Sequence, residues 1–255
     1  MWEGLMTRLR NIEGYRSLFA AADPGVAEDA WSIEDVANAL AAFEADAFWF
    51  ADTPWDAYLA GDEDVLSDGA KRGALLFFGR AGCAACHSGP LFTDQVFHNV
   101  GVPQLGPGKG EHAPADLGRA EITGSDADRC AFRTPPLRNV TLTGPWMHDG
   151  AYTDLSAVVR HMAHPARAAR GYDPTGLLAD LRGTVQSGPA ADSILATLDP
   201  VVATGRDLSE SEISDLVDFL SALTDPAAAD LSHLVPTAVP SGLPVDGSPY
   251  RGTDA

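Results

Sequence analysis

The residues whose types and spacing speak most directly of chemistry are Cys83, Cys86 and His87, in the stretch FFGRAGCAACHSGPLF. C-x-x-C-H is the attachment pattern of c-type haem: two thiols form thioethers with the porphyrin vinyls, and the following His supplies an axial iron ligand. A single turn brings both sulfurs to the ring edge and carries the imidazole beneath its plane. Zinc normally takes four ligands, and Cys130 is the only further thiol. A thioredoxin-like dithiol would sit beside a βαβ pattern, which the sequence lacks. The spacing therefore points to one covalent haem c.

With His87 bound, one axial position is left, and its occupant decides the job. A filled position makes a relay and an empty one a site for chemistry. Axial choice and surroundings move haem potentials over about 0.8 V, roughly 18 kcal/mol for one electron. The candidates after the motif are Met147, Met162, His98, His112, His148, His161, His164 and His233. Leu155, Val158, Val159 and Met162 fall on one helical stripe, with His161 turned about 100° away. The pattern thus sends Met162 toward the core and His161 away from it. Ordinary core packing explains a methionine on such a stripe as well as ligation does, so both readings stand. His148, beside Asp149, is either a hydrogen-bonding neighbour of the haem or a plain turn residue. Arg119, Arg133 and Arg138 either grip haem propionates through a bidentate fork or stay solvated. Cys130 reads as a small, unreactive side chain.

These residues need a frame to hold them. The 255-residue chain is 45% apolar, enough for a core of one large or two small domains. A net charge of −19 argues against nucleic acid and anionic membrane surfaces as partners; it would steer a basic partner, or simply keep the chain soluble. No run of 18 apolar residues suggests a membrane span, and a single cysteine outside the motif allows no disulfide framework. Met1-Trp2-Glu3-Gly4 does not open a signal peptide, whereas covalent haem c belongs outside the cytoplasm. The expectation is that the native beginning lies upstream.

Apolar residues at three- and four-residue intervals predict a helix over 3–20, broken near Gly14. Ser32 with Asp35 forms a capping-box pattern for a helix to about Trp49. Asp52-Thr53-Pro54 then stops the chain, and WDAYLAGDED reads as a turn-rich connector. Ser67-Asp68 caps a helix through AKRGALLFFGR that delivers the haem cysteines. From Ser88 to Gly150, Gly, Pro, Asn and Asp predict an ordered loop long enough to wrap a buried group. Asp154 caps a helix over LSAVVRHM, and Ser209 with Glu212 opens another over SEISDLVDFLSAL. The tail reads as an extended strap. The fold class is mainly α, a cytochrome c-like haem domain with long ordered loops.

From about Leu5 to Thr224 the sequence resembles the C-terminal part of the bacterial di-haem cytochrome c peroxidase family, which includes MauG-type proteins. The carrying stretches are RLRNIEGYRSLF, RGALLFFGRAGCAACHSGPLFTD, FHNVGVPQ, FRTPPLRNVTLTGPWMHDGAYTDL and DLVDFLSALT. The resemblance implies that Cys83, Cys86 and His87 hold the second of two haems. That haem takes electrons from a small cytochrome c or cupredoxin, while the first reduces hydrogen peroxide. The family's sixth ligand to the second haem is the fourteenth residue of the stretch opening at Asp149, which lands on Met162; MauG-type members carry Tyr there. Thr143 and Pro145 match backbone contributors to an interdomain calcium site, so half of such a site is expected.

The same resemblance implies a periplasmic location and, as is common among relatives, a homodimer. It divides the chain into a remnant of the first cytochrome c-like domain with its linker (1–66), the C-terminal haem domain (67–235) and a tail (236–255). The peroxidatic haem would precede Met1, which leaves three expectations: the relay half of the enzyme, a stand-alone mono-haem carrier, or a MauG-type oxidase. Without its first domain, the helices over 3–20 and 32–49 should expose apolar faces.

Overall fold

A computed structural model describes residues 1–186 and 188–245, without the side chain of Ala190; the last ten residues of the expected strap lie outside the described residues. The chain forms two compact units. One is Met1–Phe50 with the described chain beyond Pro226, and the other is Ala51–Pro226.

The first unit holds helices Trp2–Arg10, Glu13–Ala22 and Ile33–Ala47. The break between the first two falls at Asn11–Ile12 rather than at Gly14, which lies inside the second helix. A Cβ there would lie 2.7 Å from the ring of Pro240. Ser32 and Asp35 close the expected capping box. Trp31 and Met6 are buried, and Trp31 meets the Phe19 ring at 5.5 Å. Leu18, Leu40, Phe43, Phe48 and Trp49 are exposed, an apolar surface of the expected kind.

The second unit is organised by two helices, Asp68–Phe78 and Glu210–Ser221. Ser67 Oγ accepts the Ala70 N–H at 3.0 Å, and Ser209 with Glu212 forms a second capping box. The helices cross closely at Gly73, where a Cβ would stand 1.9 Å from the Asp215 carbonyl oxygen. Arg72 locks the crossing with a bidentate pair to Asp215 at 2.9 and 2.7 Å. Between them lies an aromatic core of Phe77, Phe92 and Phe219, with the Trp55 ring edge-on to Phe219 at 5.1 Å. Each fully buried Phe contributes about 1.5–3 kcal/mol of apolar transfer. Cys83 and Ala84 pack directly on this core, so the haem motif is braced from beneath.

Trp55 reaches the core from a helix, Pro54–Leu59, where the sequence suggested a connector. The start signals are complete: Thr53 caps, Pro54 takes the first turn and Asp56 closes the box. Asp52-Thr53-Pro54 is thus a start as well as a stop.

Residues 88–150 carry little regular structure: short 3₁₀ turns, the helix Ala120–Thr123 and a two-residue antiparallel ladder pairing Phe97 with Arg133 and His98 with Phe132. Side chains supply the missing backbone partners. Asn99 Nδ2 donates to the Ile194 carbonyl at 2.8 Å, while its Oδ1 accepts the Gly101 N–H at 2.9 Å. Gln104 bonds both backbone groups of Asp116. The fold is mainly α with long ordered loops, as its sequence implied.

Candidate haem-binding site

Gly82 enters the motif with φ +70°, Cys83–Ala85 form one 3₁₀ turn, and the His87 N–H closes onto the Cys83 carbonyl at 2.9 Å. His87 Nδ1 lies 2.9 Å from the Phe92 carbonyl oxygen. With the proton on Nδ1 donated to that carbonyl, Nε2 keeps its lone pair for a metal. Burial holds the His87 pKa below its ordinary value, so the imidazole is neutral, as ligation requires. Both thiols are free, and burial first pushes each up to about 11, leaving them protonated near neutral pH. Two unpaired thiols and an oriented, neutral imidazole in one turn fit covalent haem c. When bound, that group supplies reversible one-electron chemistry at iron.

The Leu155–Ala163 helix, capped by Asp154, carries Met162. Leu155, Val158 and Val159 pack on the aromatic core, as their stripe implied, whereas Met162, its fourth member, is half-buried and does not join that cluster. His161 departs from the expectation: it is 1% exposed, not turned outward. The far side of the helix is covered too. Tyr152 OH meets His161 Nδ1 at 2.8 Å, and His161 Nε2 faces the Val100 carbonyl at 2.7 Å, so this imidazole is a satisfied core group. Burial drops its pKa to about 4. Both its nitrogens are engaged, whereas the half-buried Met162 sulfur is not in any hydrogen bond among the described residues.

The three loop arginines have diverse partners. Arg138 forms a bidentate pair with Asp56 at 2.7 and 2.8 Å and donates to the Pro90 carbonyl. The Arg138 guanidinium holds the Asp56 carboxyl down at about 2. Arg119 lies 4.2 Å over the Phe97 ring, and Arg133 bonds Gln95. His148 stacks on Phe132 with 3.4 Å between ring centroids, and its shielded ring titrates at about 4. Asp149 Oδ1 accepts the Ala151 N–H at 3.1 Å, and burial raises its carboxyl to about 6. Thr143 and Pro145 are exposed, and Cys130 is buried.

Two features escaped the sequence reading. His98 is clamped between Asp94 at 3.0 Å and Asp199 at 2.7 Å, with ligand atoms of Cys86, Asp94 and His98 within 4.8 Å of one another. Burial would lower the His98 pKa, but the two carboxylates outweigh it and raise it. The second is Arg206, half-buried beside the motif. Asp94 and His98 lie four residues apart, but Asp199 and Arg206 reach these places only through long-range folding that no local pattern announces.

Residues 1–64 match the family model described as di-haem cytochrome c peroxidase. Methylamine utilization protein MauG of Methylorubrum extorquens is 34% identical over 233 residues, covering 90% of this chain and 55% of that protein. These matches support the di-haem cytochrome c peroxidase/MauG family. MauG of Methylophilus methylotrophus is 38% identical over 159 residues, 62% of this chain and 44% of that protein. A crystal structure of a MauG-like protein associated with microbial copper homeostasis superposes with a TM-score of 0.67 and 29% identity, covering 89% of this chain and 63% of that one. The chain spans about half the length of the curated relatives it matches. That family implies haem c as cofactor, in keeping with the C-x-x-C-H turn. Among the described residues no helix is long and apolar enough to cross a membrane.

Proposed function

We propose that this chain is the electron-transfer haem c domain of a di-haem cytochrome c peroxidase, which reduces hydrogen peroxide to water with electrons from a small cytochrome c or cupredoxin. The observation that carries the reading is the His87–Phe92 bond at 2.9 Å inside the C-x-x-C-H turn: a carbonyl can only accept, so the proton sits on Nδ1 and Nε2 is left as the donor to a metal. Cys83 and Cys86 are the covalent anchors, and His87 and Met162 the axial pair. A His/Met pair favours a raised potential, which suits an entry point for electrons. It also leaves no open position for peroxide in this half. The setting is the periplasm, with Thr143 and Pro145 contributing carbonyls to an interdomain calcium site in a homodimeric full-length enzyme.

A MauG-type oxidase is the second reading, favoured by the names of the two relatives and opposed by methionine where that group carries tyrosine. Optical and EPR spectra of the haem-loaded chain, wild type and Met162→Ala, with and without peroxide, separate the cases. The relay predicts a low-spin wild type inert to peroxide, with a near-infrared methionine–iron band that vanishes in the variant. A high-spin wild type that consumes peroxide directly overturns it.

A further inference from the structure

A half-buried cation sits against the haem-attachment turn. The backbone of Gly82 is bare where the Arg206 guanidinium lies: a Cβ there would fall 2.7 Å from Nε and Nη2 and 2.9 Å from Cζ. The left-handed φ of +70° suits glycine, so the residue before Cys83 supplies both the turn and a seat for the guanidinium. Arg206 Nη2 donates to the Val201 carbonyl at 3.0 Å, and its own N–H donates to the Ala163 carbonyl at 2.7 Å. The second bond ties its backbone to the residue after Met162. Arg206 therefore touches the elements carrying both axial ligands of the proposed site.

Among the described residues no carboxylate forms an ion pair with Arg206, in a chain of net charge −19. The nearby acids are engaged elsewhere. Asp199 is bonded to His98 at 2.7 Å and accepts the Val201 N–H at 2.8 Å, and Asp207 pairs with His164 at 3.2 Å. The field of Arg206 opposes the effect of burial at Cys83, while at Cys86 the carboxylates of Asp94 and Asp199 act against it. A fixed positive charge beside a redox centre favours the reduced, less positive state, and partial burial weakens solvent screening.

We propose that Arg206 is a positioning charge that raises the reduction potential of the haem held by Cys83, Cys86 and His87, and so helps make this domain the electron-accepting end of the protein. The inference rests on the haem-relay reading above. Arginine suits the place because it stays charged across the accessible pH range and its flat fork lies on a bare peptide.

The test is a spectroelectrochemical titration of the full-length, haem-loaded protein, comparing wild type with Arg206→Gln, Arg206→Met and Arg206→Lys. Both neutral variants are expected to show a lower midpoint potential, with the methionine–iron band retained; Lys is expected to keep most of the wild-type value. Two neutral side chains of different shape guard against one failing to fold. Neutral variants at the wild-type midpoint overturn the role of Arg206 and leave the relay reading intact. A Lys variant that falls as far as Gln overturns the charge argument, since only the fork was altered. Absence of covalent haem, or of the band in wild type, overturns the relay reading and this proposal with it.

Discussion

The scaffold beneath the haem motif and the loop that surrounds it are held by different forces. Phe77, Phe92, Phe219 and Leu223 make the scaffold a dry aromatic core, with Phe219 and Leu223 fully buried. The 88–150 loop has only a two-residue ladder, and Asn99, Gln104, Thr134 and Arg138 bond backbone or acid partners to hold it. Apolar burial tolerates small shifts but resists loss of volume, whereas polar ties fix direction and fail singly. A covalent haem draws on both: depth for its edge and direction for its ligand.

Phe219→Ala should cost most, about 3–5 kcal/mol, because four aromatic rings would lose their common neighbour. Chemical denaturation of the haem-loaded protein measures it; a loss under 1 kcal/mol would mean that the core is not what carries the scaffold. Asp56→Ala should cost about 2 kcal/mol by stranding the Arg138 guanidinium that ties the loop to the Pro54–Leu59 helix. Limited proteolysis should then cut within 88–150 before the scaffold opens, and simultaneous cleavage would deny that the regions are separable.

The same pair sets an acid response. The folded-state carboxyl of Asp56 is depressed from near 4 to about 2, so its contribution is present above pH 4 and is lost as pH falls toward 2. With partial exposure allowed for, about 1–2 kcal/mol is at stake. In Arg138→Gln that part of the acid slope should disappear from a pH series of denaturation midpoints. Ser67→Ala, which removes one cap from the scaffold helix, should cost least, about 1 kcal/mol, with the haem spectrum unchanged. A spectral change there would show that the helix start is coupled to the ligand field.

Local signals made much of this legible. The capping boxes at Ser32 and Ser209, the caps at Ser67 and Asp154 and the C-x-x-C-H turn are all written within a few residues, and the structure shows each of these elements. Thr53-Pro54-x-Asp56 carried the same kind of signal, but a preceding helix end masked it. His161 departs from its pattern because one apolar stripe does not say whether the opposite face is also covered, here by Tyr152 and Val100. Gly82 with Arg206, and His98 with Asp199, unite positions more than a hundred residues apart, beyond the reach of any periodicity.

The bond from His87 to the Phe92 carbonyl has one more consequence. Phe92 anchors its side chain in the aromatic core, while its carbonyl, presented from a backbone at φ +55°, polarises the imidazole. The orientation of that ring is therefore tied to the packing of the phenyl groups around Phe92. In such an arrangement the colour of the cofactor becomes a gauge of mechanical integrity, readable before any helix has melted.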